Sequence, residues 1–258
     1  IDFEEVRAMS EREANRVMTR GATEIVQQLY YDGKLDGIIG IGGTMGTSLG
    51  VTVMKALPMF LPKLMVSTLP LSPLFRAETV SKDLTMMPTV VDLWEGISSG
   101  IIKSVLENAA GAIAGMVETH EGRVISEKPL IGITAFGLPA NKYHIWAKPL
   151  LEQKGYEVAL FPGFGTGFEE TVWQGLIAGA LDFMACCQLL NEICGGLNKP
   201  GPNRFEASKK RGIPQVFAPA VTEFFSYPPP LDPLPAHLKG RKVGQRSIFM
   251  IAVKATPE

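Results

Sequence analysis

Gly37-Ile38-Ile39-Gly40-Ile41-Gly42-Gly43-Thr44-Met45-Gly46-Thr47-Ser48-Leu49-Gly50 is the stretch that decides the fold. It opens with a short apolar run of buried-strand type, passes through glycines and continues as an apolar helix to about Pro58. A strand that turns into a helix N-terminus leaves the first helical N–H groups unpaired at the positive end of the dipole. That suits a phosphate or a carboxylate. Glycines let the backbone approach a ligand closely, and Thr44, Thr47 and Ser48 add hydroxyls. The alternative is a tight turn whose glycines serve packing alone. No Gly-Lys-Ser/Thr follows, so this is not a Walker motif. The spacing misses the Rossmann dinucleotide pattern by one residue. The next strand, Lys63–Thr68, ends in Ser67-Thr68 rather than in an acid for a ribose, which disfavours NAD.

Outward from this stretch, Ser10–Tyr31 reads as an amphipathic helix. It starts at a Ser10-Glu11-Arg12-Glu13 capping box and stops at Asp32-Gly33. Leu69–Thr85 reads as a long loop, and a helix from about Ile97 to Glu118 is rich in Ala and Gly. The polar stretch Glu118–Lys128 divides the chain into domains 1–122 and 123–258. In the second, strands are expected at Pro129–Thr134, Tyr156–Phe161, Leu181–Cys186, Pro214–Pro219 and Ser247–Val253. Helices are expected near Lys142–Gln153, Phe168–Ala178 and Arg204–Arg211, with a proline-rich arm at Tyr227–Pro235. Short apolar strands alternating with helices predict an α/β fold with mostly parallel, doubly wound sheets.

Composition narrows the function. With 25 basic and 26 acidic residues among 258, direct nucleic-acid binding is not expected, because phosphate contacts need concentrated Lys and Arg. Lys209-Lys210-Arg211 reads as a solvated helix end. The apolar stretches are broken by Gly, Pro or charge short of a membrane span. The acidic N-terminus is no secretory signal, and its lack of Met suggests a fragment. Three cysteines, two of them adjacent, make no disulfide framework and fit a reducing cytoplasm.

A second glycine loop, Gly163-Phe164-Gly165-Thr166-Gly167, also follows a strand and opens a helix. Thr134 to Gly137 is a third strand end with small residues. Ligands collect beyond the carboxyl ends of strands in open α/β sheets, so these segments can surround one site or supply one site per domain. The candidate ligand-binding residues are therefore Gly42, Gly43, Thr44, Gly46, Thr47, Ser48, Ser67, Thr68, Thr134, Gly137, Gly165, Thr166 and Gly167. His120, His144 and His237 lack metal-like spacing. Cys186, Cys187 and Cys194 read as small core residues. Asp83, Asp92, Glu170 and Asp182 could hold Mg²⁺, though caps and salt bridges explain them as well. No nucleophile elbow or Ser-His-Asp context is present.

Several runs together resemble the ATP-binding family of the tomato mosaic virus resistance protein and its bacterial and fungal relatives. They are Gly37–Ser48, Pro62–Thr68, Ser81–Met87, Asn108–Met116, Ile131–Gly137, Gly165–Gly167, Gly201–Arg204, Gly212–Val216 and Lys254–Glu258. The resemblance implies two Rossmann-like domains, binding of ATP with Mg²⁺, and a homodimer. It also implies a segment before Ser10, without which the first domain is N-terminally incomplete. The first glycine loop matches the family intact. The second domain departs from it at Phe161-Pro162, at Phe183–Gln188 and at Gln245-Arg246. Two other readings stay open. One is an enzyme acting on a small phosphorylated or carboxylated metabolite, with Glu170 or Asp182 as acid, base or metal ligand. The other is a protein-binding scaffold or inhibitor that nucleotide stabilises.

Overall fold

The computed structural model describes residues 2–70, 80–93, 99–122, 127–163, 166–197, 200, 204, 206–229 and 234–256, with side chains at 137–139 and 141 left aside. The chain forms two compact units, Ile1–Ile125 and Ser126–Glu258.

Unit 1 runs α1 (Phe3–Ala8), α2 (Glu11–Tyr31), β1 (Ile38–Gly42), α3 (Thr44–Lys55), β2 (Lys63–Ser67), β3 (Thr85–Pro88) and α4 (Gly100–Glu118). The Ser10 box forms as its spacing requires: the Ser10 hydroxyl accepts from Glu13 N–H and the Glu13 carboxylate accepts from Ser10 N–H. The strands are parallel in the order β1-β2-β3. β2 is central and buried throughout, which explains its continuous apolar run. Leu64 and Val66 face Ile102, Val105 and Ala109 of α4, while Met65 packs with Val51 and Met54 of α3. By length and composition α4 could cross a membrane, unlike the sequence expectation; its buried residues form this core. Thr85–Pro88, at the end of the expected loop, is a strand. Only Met86 and Met87 are half-buried in it, too short a pattern to read in advance. Residues 71–79 of that loop lie outside the described residues, as do 94–98, where the α4 helix was expected to begin.

Unit 2 runs β4 (Leu130–Ala135), α5 (Gly137–Gln153), β5 (Glu157–Pro162), α6 (Gly167–Trp173), β6 (Gly179–Asp182), α7 (Ala185–Ile193), α8 (Glu206–Arg211), β7 (Gln215–Phe217), β8 (Phe224–Tyr227), a 3-10 turn (Ala236–Leu238), β9 (Val243–Ser247) and β10 (Met250–Lys254). β4 to β7 form a parallel sheet in the order β5-β4-β6-β7. Ile133 and Ala135 pack with Phe183, Met184 and Cys187 in one cluster; Phe168, Val172 and Ala180 form another.

Two sequence expectations are corrected here. The strand expected at Leu181–Cys186 stops at Asp182, because Asp182 Oδ1 accepts from Met184 and Ala185 N–H and turns the chain into α7. The single strand expected at Ser247–Val253 is a hairpin, β9 and β10, turning at Ile248-Phe249. With β8, which was not anticipated, it makes an antiparallel sheet in the order β8-β10-β9. Residues 123–126 of the expected boundary and 230–233 of the expected arm lie outside the described residues.

Candidate functional site

In unit 1 the glycine loop sits at the carboxyl ends of the strands, where Gly42 registers with Ser67. The six glycines of the stretch fall into two groups. A Cβ on Gly37 would meet Val117 at 2.6 Å, and one on Gly40 or Gly50 would meet the Met65 sulfur at 2.8 or 2.9 Å. One on Gly42 would lie 2.7 Å from Gly46 Cα. These four are closely packed, Gly42 against backbone and Gly40 and Gly50 only against the movable ends of methionine side chains. Gly43 and Gly46 are not: their added Cβ atoms would make only ordinary contacts, 3.7 Å to Thr68 Oγ1 and 3.6 Å to the Ile41 carbonyl.

Gly43 is the N-cap of α3 and offers no side-chain cap. The first intrahelical bond is Thr47 N–H to the Gly43 carbonyl, at 2.8 Å. The N–H groups of Thr44, Met45 and Gly46 precede that bond and have no intrahelical acceptor. Thr44, Gly46 and Ser48 are exposed, and Gly43 and Thr68 half-exposed. Thr47 and Ser67 are different. Both are fully buried, their hydroxyls 2.8 Å apart; Thr47 also donates to the Gly42 carbonyl, and Ser67 Oγ accepts from Leu69 N–H. They brace the loop from beneath. The structure thus brings Gly42, Gly43, Gly46 and Thr68 together at the loop, with Thr47 and Ser67 beneath it; Thr44 opens α3, and Ser48 is exposed one turn further along.

Asp83 lies at the other end of this sheet. It pairs at 2.5 Å with Lys63, the fully buried first residue of β2, and accepts from Ser81 Oγ and Phe60 N–H. A groove of about 480 Å³ there is lined by Phe60, Pro62, Asp83, Met116 and His120 among others. Asp92 is exposed. Among the described residues no three His, Cys, Asp or Glu side chains converge as a metal site.

In unit 2 a buried polar cluster occupies the carboxyl ends of β4 and β6. Asp182 is fully buried. Its Oδ1 accepts from Thr134 Oγ1 at 2.7 Å, and its Oδ2 accepts from Gln215 at 3.1 Å and pairs with Arg204 at 2.7 Å. Arg204, itself buried, also donates to Gln188 Oε1 at 2.8 Å and to Glu169 Oε1 at 3.1 Å. Gln188 Nε2 donates in turn to the Gly163 carbonyl. Burial pushes the Glu169 carboxyl above the usual carboxylate range, against the pull of Arg204.

Of the residues expected in this unit, Thr134 belongs to the cluster. Gly137 begins α5, Thr166 caps α6 and donates to Glu170, and Gly167 is the first residue of α6; Gly165 lies outside the described residues. Glu169, Gln188, Arg204 and Gln215 were not singled out. Their charge or amide is explained only by partners 16 to 70 positions away, and no local spacing announces that. Cys187 is a core residue as expected, its thiol pushed up by burial to about 11. His237 faces the Cys194 carbonyl at 3.2 Å.

Comparison with known proteins covers both units. A model of the N-terminal domain of an uncharacterised protein family, UPF0261, matches residues 2–122, and the model of that family's C-terminal domain matches residues 128–258. A UPF0261 protein of Clostridium tetani is 38% identical over 248 residues, covering 95% of this chain and 60% of the relative. One from Brucella suis is 34% identical over 255 residues, covering 96% and 59%. The tomato ToMV resistance protein Tm-1(GCR237) is 30% identical over 230 residues, covering 86% of this chain and 30% of its own length. The chain thus spans about three fifths of the bacterial relatives.

Proposed function

The chain belongs to the uncharacterised protein family UPF0261, and from that premise we propose that it binds a nucleotide, ATP with Mg²⁺, through the glycine loop of unit 1. The observation that carries this reading is the pair Gly43 and Gly46, glycines with no packing reason beside three helical N–H groups without an intrahelical acceptor. A phosphate group would take those N–H groups as donors, with the Thr44, Ser48 and Thr68 hydroxyls beside them. The side-chain-free cap lets it approach the backbone. Mg²⁺ would arrive with the phosphates, whose oxygens suit a hard cation. The choice of a nucleotide over other phosphate ligands rests on the sequence resemblance of Gly37–Ser48 and the following runs to an ATP-binding family. A homodimer is part of the same proposal.

The test is Gly43→Asp. An added Cβ makes only an ordinary contact there and an Asp carboxylate supplies the missing cap, so the ligand-free protein should gain about 0.3–1 kcal/mol. The same negative charge should abolish the rise in unfolding temperature that Mg-ATP produces. Wild-type protein at roughly 100 times Kd should be stabilised by about 2.7 kcal/mol. Absence of any shift in the wild type, or a full shift in the variant, would refute the reading.

A further inference from the structure

The polar cluster of unit 2 contains one atom that its own residues leave incomplete. Glu169 Oε1 accepts from Arg204, but Glu169 Oε2 is buried and meets no hydrogen-bond partner among the described residues. The neighbouring groups are engaged. Asp182 is bonded through both oxygens, Gln188 uses its oxygen and its nitrogen, and Thr134 donates to Asp182 and accepts from Arg204 at 3.3 Å. The charges are also unequal: Arg204 faces both Asp182 and Glu169. With both carboxyls ionised, one negative charge is left over in a region shielded from water, which is costly. A proton on Oε2 removes that charge and turns an orphan acceptor into a donor.

Location gives this donor a use. β4 leads to β5 on one side and borders β6 on the other, so the chain reverses direction across the sheet between β4 and β6. Ligands of open α/β sheets bind at the carboxyl ends of strands flanking such a reversal. Thr134 and Asp182 stand at those ends. We propose that this cluster is a second small-molecule site, in which Glu169 presents a proton on Oε2 to an oxygen of a carboxylate or phosphate ligand. In the protonated state the cluster is neutral and admits an anion; in the ionised state it repels one. Binding therefore weakens as pH rises through the folded-state pKa of Glu169.

Charged groups on the surrounding elements are Glu170 on α6, Glu157 on β5, Glu192 on α7, and Glu206, Lys209, Lys210 and Arg211 on α8. The influences on the Glu169 carboxyl are burial first, which raises it, then Arg204, which lowers it, and more weakly Asp182, which raises it. A raised folded-state pKa has a fixed sign. Its stabilising contribution is complete below the ordinary carboxylate range and is lost as pH rises through the folded value.

Two measurements on the full chain test the proposal. Infrared difference spectra of wild type against Glu169→Gln, taken through a pH series, should show the carbonyl stretch of a protonated carboxyl that persists above the ordinary carboxylate range in the wild type and is missing in the variant. Unfolding temperature should rise with inorganic phosphate, methyl phosphate or acetate. Measured in a Gly43→Asp background, which removes the phosphate cradle of unit 1, that rise should survive in Glu169→Gln, whose amide still donates. It should vanish in Glu169→Met, which has no donor. The proposal is overturned if the band is absent, if no probe shifts the wild type, or if Glu169→Met responds as the wild type does. It does not depend on the nucleotide reading, whose failure would appear as an ATP shift absent or indifferent to Gly43→Asp while the Glu169 readouts stand.

Discussion

Gly42 and Gly46 face each other across the turn from β1 into α3, yet they are glycines for different reasons. At Gly42 an added methyl would fall within 3 Å of Gly46 backbone atoms. Gly42→Ala should therefore cost about 1–3 kcal/mol in urea denaturation, through backbone displacement. At Gly46 the methyl would find room inside a helix. Gly46→Ala should stabilise the ligand-free protein by about 0.5–1 kcal/mol, while weakening the response to Mg-ATP. A destabilised Gly46→Ala would return that glycine to an ordinary packing role. The sequence showed both as members of one glycine run. It could not sort them, because the sorting depends on what lies opposite each Cα.

At the scale of elements, the most legible was α2, whose start was given by the Ser10–Glu13 box and whose end by Asp32-Gly33. Ser10→Ala should cost about 1 kcal/mol, visible as a lower unfolding midpoint; no change would show that the box forms without stabilising the helix. β1, β2 and β4 were equally plain, being apolar runs bounded by polar or glycine residues. The misreadings share a cause. Leu181–Cys186 is apolar enough for a strand, but the Asp182 carboxylate captures the N–H groups of Met184 and Ala185 and turns the chain into α7. Ser247–Val253 reads as one strand because the turn at Ile248-Phe249 carries no Gly, Pro or Asn to announce it. β3 and β8 are four residues each, and strands of that length gain their identity from neighbours rather than from their own pattern.

At the scale of the whole molecule each unit has its own buried clusters, around one sheet in unit 1 and two in unit 2. Ile133, in the middle of β4 and fully buried, belongs to unit 2 alone. Ile133→Ala should lower stability by about 2–5 kcal/mol in chemical denaturation, the spread reflecting how far the cavity collapses. A cost below about 1 kcal/mol would mean that the cluster repacks freely. By itself the sequence determined the α/β class, the strand–glycine loop–helix unit and the capped helix before it, since periodicity, capping and glycine placement act within a few residues. Only the tertiary structure decided which glycines pack and which stand open, that Thr47 and Ser67 lie beneath the loop, and that Glu169, Asp182, Gln188 and Arg204 form one cluster. Those facts rest on contacts between residues far apart in the chain, where burial and charge are settled by the fold and not by neighbours in sequence.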